Sequence, residues 1–258
     1  MASLALGTAS FAGKYGIKGD DVPDMGEQLR ILSVGCRSGI DILDAADSYP
    51  PYPCMNVARL DGYRRVYKTR QPPSLDMLHE TPLYAAMLHM PADVRLLDNL
   101  RRLKQWGAVE KVGVSAYDFD QLWATGAEAL DIVQVPLNIL DNRLLPTLRD
   151  LHRHGVEVHV RSAFLQGALL MDPADLPPHF DSVRDHLYSW RAQVDAVGLT
   201  PVQAALGPLL GLDCVEAVVV GVNSVAQLKE LLAVQPLPWD DRWAIDDVNI
   251  LEPWRWPK

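Results

Sequence analysis

The feature that most limits how this chain can fold is a repeated alternation. A short run of β-branched and small apolar residues is followed by an amphipathic stretch, eight times over. The strand-like runs fall at 4–9 (LALGTA), 40–45 (IDILDA), 65–69 (RVYKT), 84–89 (YAAMLH), 111–116 (KVGVSA), 131–137 (DIVQVPL), 156–163 (VEVHVRSA) and 216–221 (EAVVVG). Helical spacing is clear in between. In ADVRLLDNLRRLKQWG, Val94, Leu97, Leu100 and Leu103 recur at three-residue steps, and Gly107 closes the pattern as a C-cap. RLLPTLRDLHRHG ends the same way at Gly155. SVRDHLYSWRAQVDAVG and PVQAALGPLL follow as a pair, the second opening on proline, and SVAQLKELLAV opens on Ser224 as an N-cap. Eight β/α units in 258 residues predict an α/β fold of the (β/α)8 TIM-barrel type, one domain over 1–258 with a Trp-rich tail at 235–258. A doubly wound open sheet is the alternative. It needs a glycine-rich phosphate turn after an early strand, and LGTASFAGKYG lacks the GxGxxG order.

Composition narrows the function classes. A content of 48% hydrophobic and 22% charged residues is that of a soluble globular protein. The formal charge of −9 disfavours nucleic acid and anionic membrane as partners. No window is long and apolar enough to span a bilayer. Three cysteines without CxxC spacing argue for a reducing compartment, and MASLALGTASFAG has no basic n-region of a signal peptide. The expectation is a cytoplasmic protein. His152 and His154, with His159 nearby, have ligand-like spacing, but the first two sit at a helix C-terminus on the barrel face away from the chemistry. Positive charge there suits the helix dipole, so no metal is expected.

Barrels of this kind carry their chemistry at the C-terminal ends of the strands. Those positions hold Asp44 just past the second apolar run, Tyr49 in the loop after it, Lys68 near the end of the third strand and His89 at the end of the fourth. Taken singly, each has a structural reading: a turn cap, a rim aromatic, an exposed charge, a buried histidine. Together they form a proton-delivering set. A phenol has an ordinary pKa of about 10, and a neighbouring Lys68 ammonium is expected to lower it. Asp44 would hold the lysine charged, and His89 would hydrogen-bond a substrate carbonyl or share the proton.

Several segments resemble the aldo-keto reductase family. LDAADSY resembles the motif DTAxxY with Ala45 in place of threonine, LHMP resembles LIHWP, and EKVGVSAYDFDQL resembles the IGVSNF segment. LGTASFAGKYG, DIVQVPLNILDNRLLP, GVEVHVRSAFLQGALL and VVVGVNSVAQLKELL match the family's other strands in order, so the resemblance runs nearly end to end. It implies a catalytic tetrad of Asp44, Tyr49, Lys68 and His89, with Tyr49 as general acid and Arg70 as the alternative to Lys68. It implies an oxidoreductase that reduces a small-molecule carbonyl (aldehyde, ketone or sugar) with NADP(H), or with NAD(H) as second choice. Ser115 and Gln134 then fall where the family holds the nicotinamide carboxamide, although the asparagine expected next to Ser115 is Ala116. Arg161, followed by Ser162, stands where an aromatic usually stacks on the nicotinamide. Gly221, Asn223, Ser224 and Gln227 would clasp the pyrophosphate and adenosine, with Asn223 where many relatives carry a cation for the 2′-phosphate.

The chain is short for this family. CMNVARLDGY and SLDMLHET stand in for full helices after the second and third strands. That leaves a thin outer wall on one side and a surface for homo-oligomer formation. Trp239, Trp243, Trp254 and Trp256 in the tail are expected to seal a surface. The alternative to an enzyme is a catalytically weak or inactive barrel acting as a nucleotide-binding regulatory or scaffold protein.

Overall fold

The computed structural model describes residues 1–19, 22–49, 62–71 and 82–257. Eight parallel strands close into a barrel in sequence order. They are β1 (Ser3–Gly7), β2 (Ile42–Ala46), β3 (Arg64–Thr69), β4 (Leu83–Leu88), β5 (Val109–Ser115), β6 (Ile132–Pro136), β7 (Glu157–Arg161) and β8 (Ala217–Val220). The barrel shuts where β8 meets β1, with Ser3 opposite Ala217 and Leu6 opposite Val220. Each strand lies on its expected run. One boundary shift matters: Asp44 lies inside β2 rather than just past it, because Ala45 and Ala46 continue the extended backbone.

Strand side chains alternate between the barrel axis and the helical shell. Ala5, Ile42, Val66, Ala85, Met87, Ile132, Ala217 and Val219 pack with Tyr84 into one cluster. The intervening Leu6, Leu43, Ala86, Val133, Val158 and Val218 belong to a second cluster, shared with helix residues. Small residues let the wall close: a Cβ on Gly113 of β5 would sit 2.0 Å from the carbonyl oxygen of Ile132 on β6.

The helices of the described residues are α1 (Ala9–Ala12), α2 (Met25–Arg37), α3 (Leu97–Gln105), α4 (Phe119–Ala124), α5 (Leu145–Arg153), α6 (Arg184–Ala196), α7 (Pro201–Leu210), α8 (Val225–Leu232) and α9 (Val248–Leu251). In α3 the buried residues are Leu97, Leu100 and Leu103, and in α5 they are Leu145, Leu148 and Leu151. Burying one such leucine contributes about 2 kcal/mol. The turn before α3, Pro91–Leu96, is 3-10 rather than α-helical. Ser224 caps α8 by accepting from the Gln227 N–H, and Thr200 and Gln203 form a capping box on α7. The shortened segments expected after β2 and β3 lie outside the described residues. No helix among the described residues is long and apolar enough to cross a membrane.

The tail packs over the C-terminal half. Trp256 stacks edge-on against Phe180 at 5.2 Å and donates to the Ile250 carbonyl. Ile245 N–H donates to the Leu140 carbonyl at 2.9 Å. Trp243 contacts His186, whose ring also meets the Trp243 carbonyl. Trp254 behaves differently, as described below.

Candidate active site

The upper layer of the barrel interior is polar and fully buried. Lys68 Nζ donates to Asp44 Oδ1 at 2.5 Å and to Gln134 Oε1 at 3.0 Å, and Gln134 Nε2 donates to Asp44 Oδ2 at 2.8 Å. The three residues come from β2, β3 and β6, so the triangle spans the barrel. All three are nearly inaccessible, and a buried ion pair of this kind holds only if its remaining valences are met. Gln134 meets them: both ends of its amide are committed to the pair. Its expected role as a carboxamide ligand therefore competes with these bonds.

Above the triangle opens a cavity of about 510 Å³ at the C-terminal ends of the strands. Tyr49, Lys68, His89, Ser115, Arg161 and Ser162, all singled out in the sequence, line it. Asp44 and Gln134 sit just beneath. The Ser115 hydroxyl has no hydrogen-bond partner among the described residues, so it is free to hold a ligand at the wall.

Tyr49 departs from expectation. Lys68 Nζ lies over its ring, 5.7 Å from the centroid, with its hydrogen bonds given to Asp44 and Gln134. The phenol pKa is raised, not lowered. Burial is the main cause and the Asp44 charge adds to it, while Arg161 acts in the opposite direction. The lysine's charge is compensated before it reaches the phenol, which therefore stays protonated across the neutral range. His89 packs edge-on against Tyr49 at 6.1 Å. Its pKa is lowered to about 4, first by burial and then by Lys68 and Arg70, so it is neutral at pH 7. Nδ1 lies 3.2 Å from Ser48 Oγ. With the serine as donor, the remaining ring nitrogen carries the proton.

Asp47 supports this corner. Its Oδ2 accepts from Arg70 N–H at 2.6 Å and from Thr69 Oγ1 at 3.0 Å. Its Oδ1 is buried without a hydrogen-bond partner and lies 3.9 Å from His89 Nδ1. Arg70, the alternative to Lys68, takes no part in the Asp44 pair.

Of the opposite wall the sequence marked Arg161 and Ser162, but not the loop that follows them or the residues that meet it. After β7 the backbone takes positive φ at three non-glycine residues, Ser162 (64°), Leu165 (45°) and Gln166 (55°). Such residues persist only where surroundings over-determine them, commonly at ligand sites. The loop is pinned by the first β/α loop: Ile17 N–H donates to the Gln166 carbonyl at 2.9 Å, at the turn made by Gly16 (φ 80°). That loop also delivers Tyr15 to the cavity; the residue keeps 46% of its surface exposed, yet desolvation of its phenol raises its pKa and the Arg161 charge opposes the rise. Arg161 places its guanidinium 4.3 Å from the centroid of Tyr117, and Trp254 of the tail meets the same tyrosine at 4.3 Å. The tail thus closes one side of the cavity as well as sealing the barrel.

Gly221, Asn223, Ser224 and Gln227 sit at the turn from β8 into α8 and do not line the cavity. They adjoin it through α1, where Ser10 Oγ donates to the Val222 carbonyl. Asn223 Oδ1 is buried with no partner among the described residues. The amides of this turn are partly committed: Asn223 N–H donates to Gln227 Oε1 at 2.7 Å, and Val225 N–H to Glu27 Oε1 at 2.7 Å. The bond from Val225 holds the Glu27 carboxyl below its usual range. A carboxylate from α2 therefore stands at the start of α8, where a 2′-phosphate was expected.

A closed parallel barrel thus brings an acid–lysine pair, a phenol and an imidazole together at its C-terminal mouth. The chain belongs to the aldo/keto reductase family, whose model matches residues 73–250. Members of that family in general carry out NAD(P)H-dependent carbonyl reduction. Among solved structures, the chain is similar to an aldo-keto reductase from Bacillus halodurans. Its holo form aligns with a TM-score of 0.68 at 20% identity, over 93% of this chain and 89% of that one. The apo form gives 0.70 at 22%, over 93% and 88%. A Pseudomonas aeruginosa structure assigned to the aldo-keto reductases gives 0.65 at 20%, over 89% and 88%. No curated protein matches the chain by sequence.

Proposed function

We propose that this protein reduces the carbonyl of a small molecule to an alcohol, with Tyr49 as the proton donor. The observation that carries the reading is the single cavity shared by Tyr49, Lys68 and His89 above the 2.5 Å Asp44–Lys68 pair. When bound, the nicotinamide supplies the hydride that the carbonyl carbon receives. The protein's part is the proton. The Tyr49 hydroxyl has no hydrogen-bond partner among the described residues, and its raised pKa keeps it protonated until a carbonyl oxygen gains charge beside it. Neutral His89 donates a hydrogen bond to that same oxygen. As the phenol gives up its proton, the Arg161 guanidinium and the Lys68 ammonium over the ring are the cations that face it.

The residues present fit a dinucleotide. Ser115 is free at the cavity wall, and Asn223 offers an orphaned acceptor at the β8–α8 turn. The preference for NADP(H) implied by the resemblance finds no cation within Gly221 to Gln227, and Glu27 brings a carboxylate there that Arg30 pairs on its other oxygen. The reading is therefore an enzyme that binds NADH at least as tightly as NADPH. The test has two parts: fluorescence titration with NADH and NADPH, then absorbance of the reduced cofactor during incubation with an aldehyde panel. Binding of either cofactor without turnover across the panel assigns the barrel to the scaffold class and removes the reductase reading.

A further inference from the structure

Among the described residues, every formally charged side chain lining the cavity is a cation: Lys14, Lys68 and Arg161. No carboxylate stands among the lining residues, in a chain whose net charge is −9. Lys68 is balanced from beneath by Asp44. Arg161 is not balanced in that way. Among the described residues its contacts are the face of Tyr117 at 4.3 Å and two long hydrogen bonds, to Ser162 Oγ and to the Ala116 carbonyl, both at 3.4 Å. None is a carboxylate. A guanidinium has five N–H donors in a fixed planar fork, so most of its donor capacity is unspent while stacking fixes its plane.

We infer that Arg161 is a specificity-determining residue that receives a carboxylate carried by the carbonyl substrate. The substrate class is then an oxo acid or an aldehyde acid, with the carbonyl presented to Tyr49 and the acid group to Arg161. This rests on the carbonyl-reductase reading above and sharpens it.

Four points support it. The fork geometry matches a carboxylate bidentately, which a lysine at the same place would not. The Arg161 charge acts on the phenols of both Tyr49 and Tyr15, so the guanidinium and the proposed proton donor face the same space. The turn that best fits the cofactor's phosphates, at Gly221 to Gln227, lies outside the cavity lining. The nicotinamide ring that the resemblance sets beside Arg161 carries no anion of its own, so an anion on Arg161 sits on the molecule whose carbonyl lies beside Tyr49. The wall that carries Arg161 is also the strained one: Ser162 follows it directly with φ 64°, and Trp254 buttresses Tyr117 from the tail.

The experiment compares matched substrates that differ only in charge: 4-formylbenzoate with its methyl ester, and 4-oxobutanoate with its methyl ester. The readout is the ratio of kcat/KM, acid over ester, in the wild type, in Arg161→Met and in Arg161→Lys. The expected wild-type ratio favours the acid by about tenfold or more, the scale of a charge-assisted hydrogen-bond pair. It falls about tenfold in Arg161→Met and is only partly restored in Arg161→Lys. Titration of each variant with NADH and NADPH separates the two sources of anion. If the substitution weakens cofactor binding tenfold and leaves the acid-to-ester ratio unmoved, Arg161 serves a cofactor phosphate and the inference is overturned. A wild-type ratio near one for both pairs overturns it without any variant. Turnover of neither acid nor ester, with cofactor bound, removes the reductase reading itself.

Discussion

The two ends of the barrel interior carry the same four kinds of side chain, arranged to opposite effect. At the upper end are Asp44, Lys68, Tyr49 and His89. At the lower end are Glu157, Lys111, Tyr84 and His159. In the lower set the groups spend themselves on one another. Tyr84 Oη donates to Glu157 Oε2 at 2.6 Å, Lys111 Nζ donates to Tyr84 Oη at 2.8 Å and also meets Glu157, and His159 Nε2 lies 2.7 Å from Glu157 Oε1. Arg64 covers the Tyr84 ring at 4.2 Å. Apart from His159 Nδ1, which is buried without a partner among the described residues, the lower network is closed, and its members do not line the cavity at the upper end. In the upper set only the acid and the lysine are paired. The phenol is left unbonded beside open space. Residue type does not distinguish a site from a structural plug; what the hydroxyl does not bond to distinguishes them.

The largest expected effect tests that distinction directly. Tyr49→Phe is expected to lower kcat by 10² to 10⁴-fold, in the usual range for a lost general acid, with NADH still bound in a fluorescence titration. Tyr84→Phe, the same change at the other end, is expected to cost about 1–2 kcal/mol of stability in denaturant unfolding, with turnover per folded molecule retained. Should the two variants lose activity alike, the contrast between the ends collapses.

Lys68→Met comes next. It leaves the Asp44 carboxylate buried with Gln134 as its remaining side-chain partner, and breaking a buried pair on one side costs about 3–5 kcal/mol. The double variant Asp44→Asn with Lys68→Met removes the stranded charge. It is expected to recover part of the stability and none of the activity, read by urea midpoint and by turnover. Equal stability of the single and double variants would mean that the pair does not hold the upper layer together.

Much of this was legible in the sequence, and the gaps have physical causes. The eight strands were readable because each alternates or runs apolar between turn signals. Asp44, Lys68 and His89 were readable because strand ends are where barrels keep polar side chains. Gln134 was visible, but its bond to Asp44 depends on the closure that brings β6 across from β2. Tyr15, Tyr117 and Trp254 meet at one wall from the first loop, the fifth loop and the tail. No local pattern joins residues so far apart. The direction of the Tyr49 shift depends on burial outweighing a neighbouring charge, a competition that spacing does not encode.

Glu157 gives the lower set its own signature in pH. Burial alone would raise its pKa, but hydrogen bonds from His159, Lys111 and Tyr84 outweigh that and hold it at about 2. A carboxylate with a depressed folded pKa contributes stability that is full above its unfolded value, about 4.5, and lost as pH falls toward 2. Glu157→Gln is expected to cost about 3 kcal/mol at pH 7 and to flatten the stability curve between pH 4.5 and 2. Persistence of the acid transition in Glu157→Gln would assign it to another group.

The smallest expected effect concerns a carboxylate outside both networks. Glu27 accepts from the Val225 N–H at the start of α8, and Arg30 pairs with its other oxygen at 2.8 Å. The helix end gains a permanent anion where a phosphate would otherwise benefit from the same partial charge. A second anion brought there meets repulsion, screened by solvent and by Arg30, so the penalty is a few-fold rather than a thousand-fold. Glu27→Gln keeps an acceptor for Val225 and removes the charge. The Kd of NADPH is expected to fall about three- to tenfold relative to that of NADH, with the difference shrinking at high salt because exposed charges are screened. If instead both affinities drop together, Glu27 serves to anchor α2 to α8 and has no part in choosing between the two cofactors.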